Sequence, residues 1–169
     1  MPATLPVPIE FSLPDGWLPA KPDGLDAEGV AFAAVHPRPD AGYAASVTVD
    51  GGFPDAPLDL AELADASVER LRGTAARVEV ADRREAGSAD APALVQRLYL
   101  SAVAGGTRRD LVQSQVYLLL ADVADPLASA VIRLTLTATA AQHDAVLGEF
   151  QEFVRSVRPD TGTGTGTGT

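Results

Sequence analysis

The chain contains no cysteine, which excludes disulfides, thiolate nucleophiles and cysteine-ligated metal sites. Histidine is nearly as scarce. His36 and His143 are the only two, too few for a multi-histidine metal centre. Lys21 is the sole lysine among 13 basic residues, the rest being arginine. With abundant alanine, that bias matches the coding of a GC-rich genome of actinobacterial type and carries no functional information. No apolar run approaches the ~18 residues a membrane-spanning helix needs. The first ten residues, Met1 to Glu10, lack a basic segment followed by an apolar stretch, so they do not read as a secretory signal, and the cytoplasm is the expected compartment. A formal charge of −10 removes the net Lys/Arg excess on which nonspecific attraction to nucleic acid or anionic membrane depends. Neither nucleic acid nor membrane insertion is expected.

What is present supports a real core. Hydrophobic residues make up 46% of 169 residues, enough for one domain that buries about two thirds of its unfolded surface. Three prolines in residues 1–8 predict an extended arm. Ile9 to Leu13 alternates apolar and polar, the period of a half-buried strand. Pro14-Asp15-Gly16 is a turn, in which glycine supplies a positive φ, and a loop is expected from Trp17. Val30–Val35 and Ala44–Val49 read as the next strands. Asp55 as N-cap and Pro57 in the first turn open a helix. Its buried stripe is Leu60, Leu63, Ala64, Ser67, Val68 and Leu71, and Gly73 ends it. Four further strands are expected at Arg77–Arg83, Ala93–Val103, Arg109–Leu120 and Ala130–Ala138. A last helix from about Ala141 to Val157 carries Val146, Leu147, Phe150, Phe153, Val154 and Val157 on one face. The alternating Thr-Gly run after Asp160 cannot repay the entropy of ordering, so residues 160–169 are expected to be a disordered tail.

Gly105-Gly106 marks a hairpin whose register decides which side chains share a face. A two-residue loop would set Leu98 opposite Gln113 and Leu94 opposite Tyr117, mixing apolar and polar residues on both faces. A three-residue loop aligns Leu94, Leu98 and Leu100 with Val112, Val116 and Leu118, and burial favours that choice because a one-residue slip flips every side chain. The opposite face then gathers Arg97, Tyr99, Gln113, Gln115 and Tyr117, joined by Arg133 from the following strand. These six are the candidate binding residues, hydrogen-bonding and flat in a chain of strongly negative charge. The same face also reads simply as the solvated side of a one-sided antiparallel sheet.

Catalytic chemistry is not visible. His143 stands beside Asp144 but without a nucleophile nearby, and a surface histidine is the expected account, as for His36. The acidic residues match no calcium loop. Gly51-Gly52 and Gly105-Gly106 match no phosphate-binding pattern. No cofactor and no metal are expected.

The order β-β-β-α-β-β-β-β-α, opening with Phe11-Ser-Leu-Pro-Asp-Gly-Trp17 and closing with Phe153-Val-Arg-Ser-Val-Arg-Pro159, resembles the Mog1/PsbP-like superfamily, with its DcrB-like and LpqN-type bacterial branches. The resemblance spans residues 9–159 and implies an α+β fold: an α/β/α sandwich with an antiparallel sheet of about seven strands and two main helices. Characterised members of the superfamily are mostly non-enzymatic: a GTPase-binding factor, photosystem extrinsic subunits and adaptor chaperones for secreted toxins. The expected function is a non-catalytic protein-binding module, such as an adaptor, chaperone or assembly factor for a secretion or injection system, with another protein as partner. The alternative is a small-molecule or lipid-binding domain using a pocket between sheet and helix.

Overall fold

A computed structural model describes residues 9–20, 31–40, 42–52, 60–87, 92–104, 106–120 and 130–159. The expected N-terminal arm, the helix-opening pair Asp55 and Pro57, and the Thr-Gly tail lie outside these residues. The elements run β1 (Ile9–Glu10), β2 (Leu18–Ala20), β3 (Phe32–Val35), β4 (Ser46–Gly52), α1 (Leu60–Arg72), β5 (Arg77–Gly87), β6 (Pro92–Ala104), β7 (Thr107–Leu120), β8 (Ala130–Thr139), α2 (His143–Ser156) and β9 (Arg158–Pro159). Seven strands form one antiparallel sheet in the order β2-β3-β4-β8-β7-β6-β5, and β1 pairs separately with β9.

The strand count meets expectation, but the membership differs. The first strand of the sheet is Leu18–Ala20, in the stretch after Trp17 that reads as loop. Proline at its centre hides a short edge strand from any propensity argument, while an edge position tolerates the missing N–H. The Pro14-Asp15-Gly16 turn forms with Gly16 at φ +89° and the Trp17 N–H donating to the Pro14 carbonyl at 3.3 Å. Helix α1 stops at Arg72 before Gly73, closed by ordinary turn bonds from Gly73 and Thr74 N–H groups to Arg70 and Leu71 carbonyls.

The apolar periodicities become two layers on opposite sheet faces. On one, Val146, Phe150 and Phe153 of α2 pack on Val47, Val49, Ile132, Leu134 and Leu136, with Trp17 in the same core. On the other, Ala64 of α1 packs with Leu94, Tyr117 and Val131, and Val68 with Leu98, Leu100 and Leu111. The opening and closing sequence phrases meet in space. Phe11 stacks edge-on to Phe153 at 5.1 Å between ring centres, Ile9 pairs with Pro159, and the Ser12 N–H donates to Ser156 Oγ.

Candidate functional site

The hairpin between β6 and β7 takes the two-residue loop, with Ala104 opposite Thr107 and Gly106 at φ +80°. Leu98 therefore faces Gln113, Leu94 faces Tyr117, and Tyr99 faces Val112. This is the register that parity argued against. The three-residue alignment is incorrect, and the six expected binding residues do not share a face.

Gln113, Gln115, Tyr117 and Arg133 lie on the face beneath α1, where Gln115 is 1% and Tyr117 3% exposed. Mixed polarity is tolerated there because the polar groups satisfy one another. The Gln96 amide N–H₂ donates to Gln115 Oε1 at 2.7 Å and to the Ala64 carbonyl at 3.3 Å. Gln96 Oε1 accepts from Arg83 Nε and Nη2 at 3.0 and 2.8 Å, and Arg83 Nη1 donates to Asp65 of α1. Gln115 Nε2 donates to Ser67 Oγ of α1 at 3.1 Å, and Tyr117 OH donates to Gln115 Oε1 at 2.9 Å. Arg133 makes a two-pronged pair with Asp50 of β4 and also donates to Ser67 Oγ. Burial works against the Arg133 charge, yet the Asp50 carboxylate more than offsets it, so its pKa is raised. This band of hydrogen bonds runs across the sheet and fixes α1 upon it. An unpaired buried amide would cost about 1–3 kcal/mol, so the network stands or falls as a whole.

Arg97 and Tyr99 emerge on the opposite face, beside α2. That helix covers β4, β8 and part of β7, and it leaves the neighbouring face of β5 and β6 open. A trench results. One end is a hollow of about 420 Å³ bordered by Tyr99, Arg97, Ser101, Arg77 and the start of α2. The other, about 410 Å³, has a floor of Val95, Val116 and Leu118 and a wall of Leu147 and Val154. Arg97 borders both hollows. Tyr99 remains 48% exposed, a large apolar ring left in solvent at the trench mouth.

His143 is a second correction. It is 1% exposed, not a surface residue, and its Nε2 lies 2.8 Å from Ser114 Oγ. Its Nδ1 lies 3.3 Å from Asp144 Oδ1. Burial lowers its pKa; the bond to Asp144 opposes that effect and the nearby Arg97 charge reinforces it. The arrangement that satisfies all three groups has Nδ1–H donating to Asp144 and the Ser114 hydroxyl donating to Nε2. The order resembles a nucleophile relay, but Ser114 sits mid-strand, buried and paired on both sides with Arg97 and Leu136. Its backbone N–H belongs to the ladder and does not form an oxyanion site with a neighbour. The signal for a buried His143 was present in the sequence: it falls on the same helical stripe as Val146, Phe150 and Phe153.

No family model matches the chain, and no curated protein matches it in sequence. Solved structures do. LpqN of Mycobacterium tuberculosis, involved in cell envelope biogenesis, superposes with a TM-score of 0.60 at 15% identity, covering 88% of this chain and 81% of that one. The Saccharomyces cerevisiae Ran-binding protein Mog1p gives 0.57 at 16% identity, covering 89% of each chain. The cyanobacterial PsbP protein of Synechocystis gives 0.57 at 14% identity, covering 90% of this chain and 86% of that one. Likeness at such identities speaks for architecture, and it agrees with the strand order and the two helical layers: the chain has the Mog1/PsbP-like fold.

Proposed function

We propose that the chain is a non-catalytic protein-binding module, and that its partner docks in the trench between α2 and the open face of β5 and β6. The observation that carries this reading is Tyr99, 48% exposed beside Arg97 on the face of β6 that α2 leaves uncovered. Tyrosine and arginine dominate measured interface energetics, since each supplies large contact area with a polar tip. Of the expected binding residues, Arg97 and Tyr99 stay in the proposed site. Gln115, Tyr117 and Arg133 act beneath α1 as its anchors, and Gln113 bonds across the sheet to Thr137 of β8.

Two further observations support the reading. Over β4 and β8 the space under α2 is filled by Phe150, Phe153, Leu134 and Leu136, each at 2% exposure or less, so the hollows that remain lie to the side of the helix, toward β5 and β6. The fold also carries partner binding elsewhere, as in the Ran-binding Mog1p. An adaptor or assembly role in the cytoplasm is the finer form of the proposal.

A photo-crosslinking side chain placed at Tyr99 tests it in the native host, with the same group at Glu69 on the outer surface of α1 as reference. A discrete protein adduct at position 99 and none at position 69 is the expected result. Equal adducts at both positions, or none at 99, would move the site elsewhere.

A further inference from the structure

The trench has a chemistry that narrows its occupant. Its lower half is bordered by Arg84 from β5, Arg97 from β6 and Arg155 from the last turn of α2, and Asp82 is the one carboxylate among its lining residues. In a chain of charge −10, a local excess of cations over an apolar floor is out of keeping with the rest of the surface. None of these arginines pairs with a carboxylate among the described residues. Other cations here are used internally: Arg83 on Asp65, Arg133 on Asp50, Arg72 on Glu69. The trench arginines are thus uncommitted donors beside Val95, Leu118, Leu147 and Val154.

We propose that this half of the trench receives a short acidic, amphipathic segment of the partner protein. Its apolar side chains lie on the floor and its carboxylates reach the arginines on both walls. The inference rests on the binding-module reading and specifies the partner chemistry. Planar guanidinium groups pair two-pronged with carboxylates. A neutral or basic segment would instead cover three cations without compensation, at a desolvation cost. The overall negative charge does not forbid an acidic ligand. Beyond about 8 Å it is screened at physiological salt, while the arginines act at contact distance. A hollow of about 410 Å³ lies low in the ~300–1,000 Å³ range of ligand sites, room for a few side chains rather than a folded domain.

Fluorescence anisotropy with the full chain tests this. The probe is a labelled peptide alternating Leu with Glu, compared with its Leu-Lys counterpart, and oleate serves as competitor. Saturable binding of the Glu peptide is expected, weakened at least about tenfold by R84E with R155E, and weakened again as salt rises. Both arginines are exposed, and circular dichroism of the double variant verifies that folding is retained. The milder pair R84Q with R155Q should give an intermediate loss. Equal or tighter binding of the Lys peptide, or indifference to both double variants, would overturn the proposal. So would saturable oleate binding, read directly by calorimetry, with no binding of the Glu peptide. Should those results accompany a discrete crosslink at position 99, only the acidic partner chemistry fails. Should the crosslink fail too, the trench falls as the docking site.

Discussion

Tyr99 and Tyr117 are residues of one kind held in opposite environments, and the difference is measurable. Tyr117 is 3% exposed, packs with Ala64 and Leu94, and donates its hydroxyl to Gln115. Tyr117→Ala should lower stability by about 3–5 kcal/mol through cavity formation and a broken network. Tyr99→Ala should change it by less than about 1 kcal/mol. Denaturant midpoints of the two variants report this directly, and equal midpoints would contradict the placement. His143 makes a second residue-level prediction. Burial holds its folded pKa below the ordinary value of 6.5, so the unfolded chain binds the proton more readily. Stability should be full above about pH 6.5 and fall with acidification through the lowered folded pKa. The groups facing the ring are Ser114, Asp144 and Arg97. His143→Gln should flatten this part of the stability–pH curve. An unchanged slope below about pH 6.5 would show that His143 is not the group titrating.

Among the elements, α2 was the most legible in the sequence and the β6–β7 hairpin the least. Six bulky residues at helical spacing leave only one face for α2 to bury, and all six join its core. Phe150→Ala, at a site 2% exposed, should cost about 3–5 kcal/mol, read as a lowered midpoint with unchanged denaturant sensitivity. The hairpin misled because parity assumes that buried means apolar. Here Gln96, Gln115, Ser67 and Tyr117 are all buried, and the other three each hydrogen-bond to Gln115. Nothing local to β6 or β7 announces that Ser67 and the Ala64 carbonyl, 48 and 32 residues away from Gln115 and Gln96, will supply their partners. The glycine pair alone spoke for the tighter loop, since Gly106 takes a positive φ suited to a two-residue turn. Likewise Ser114 and His143, distant in sequence, could be joined only through the fold.

At the scale of the molecule, the two faces of the sheet serve different ends. The α1 face is apolar at its ends and polar in its middle, and Asp50, Arg133, Ser67, Gln115, Gln96 and Arg83 span it from β4 to β5. The α2 face has the larger apolar core on one side and an open trench on the other. The candidate site therefore arises from unequal coverage: one helix is too narrow to shield seven strands, and β5 and β6 are left over. That consequence of sheet width was not visible in residues 97 and 99 themselves. The order of elements, in contrast, was enough to indicate the sandwich.

Because the chain has no cysteine, single cysteines placed on the two faces give the most direct test of this division. Tyr99→Cys and the nearly volume-conserving Val131→Cys, beneath α1 but outside the hydrogen-bond network, each reacted with a thiol reagent under native conditions, read out which face is open. Tyr99→Cys should label at nearly the rate of the unfolded chain, and Val131→Cys should be strongly protected until denaturant is added. Comparable rapid labelling at both positions would contradict the account, since the polar face would then be open and α1 would not be seated upon it.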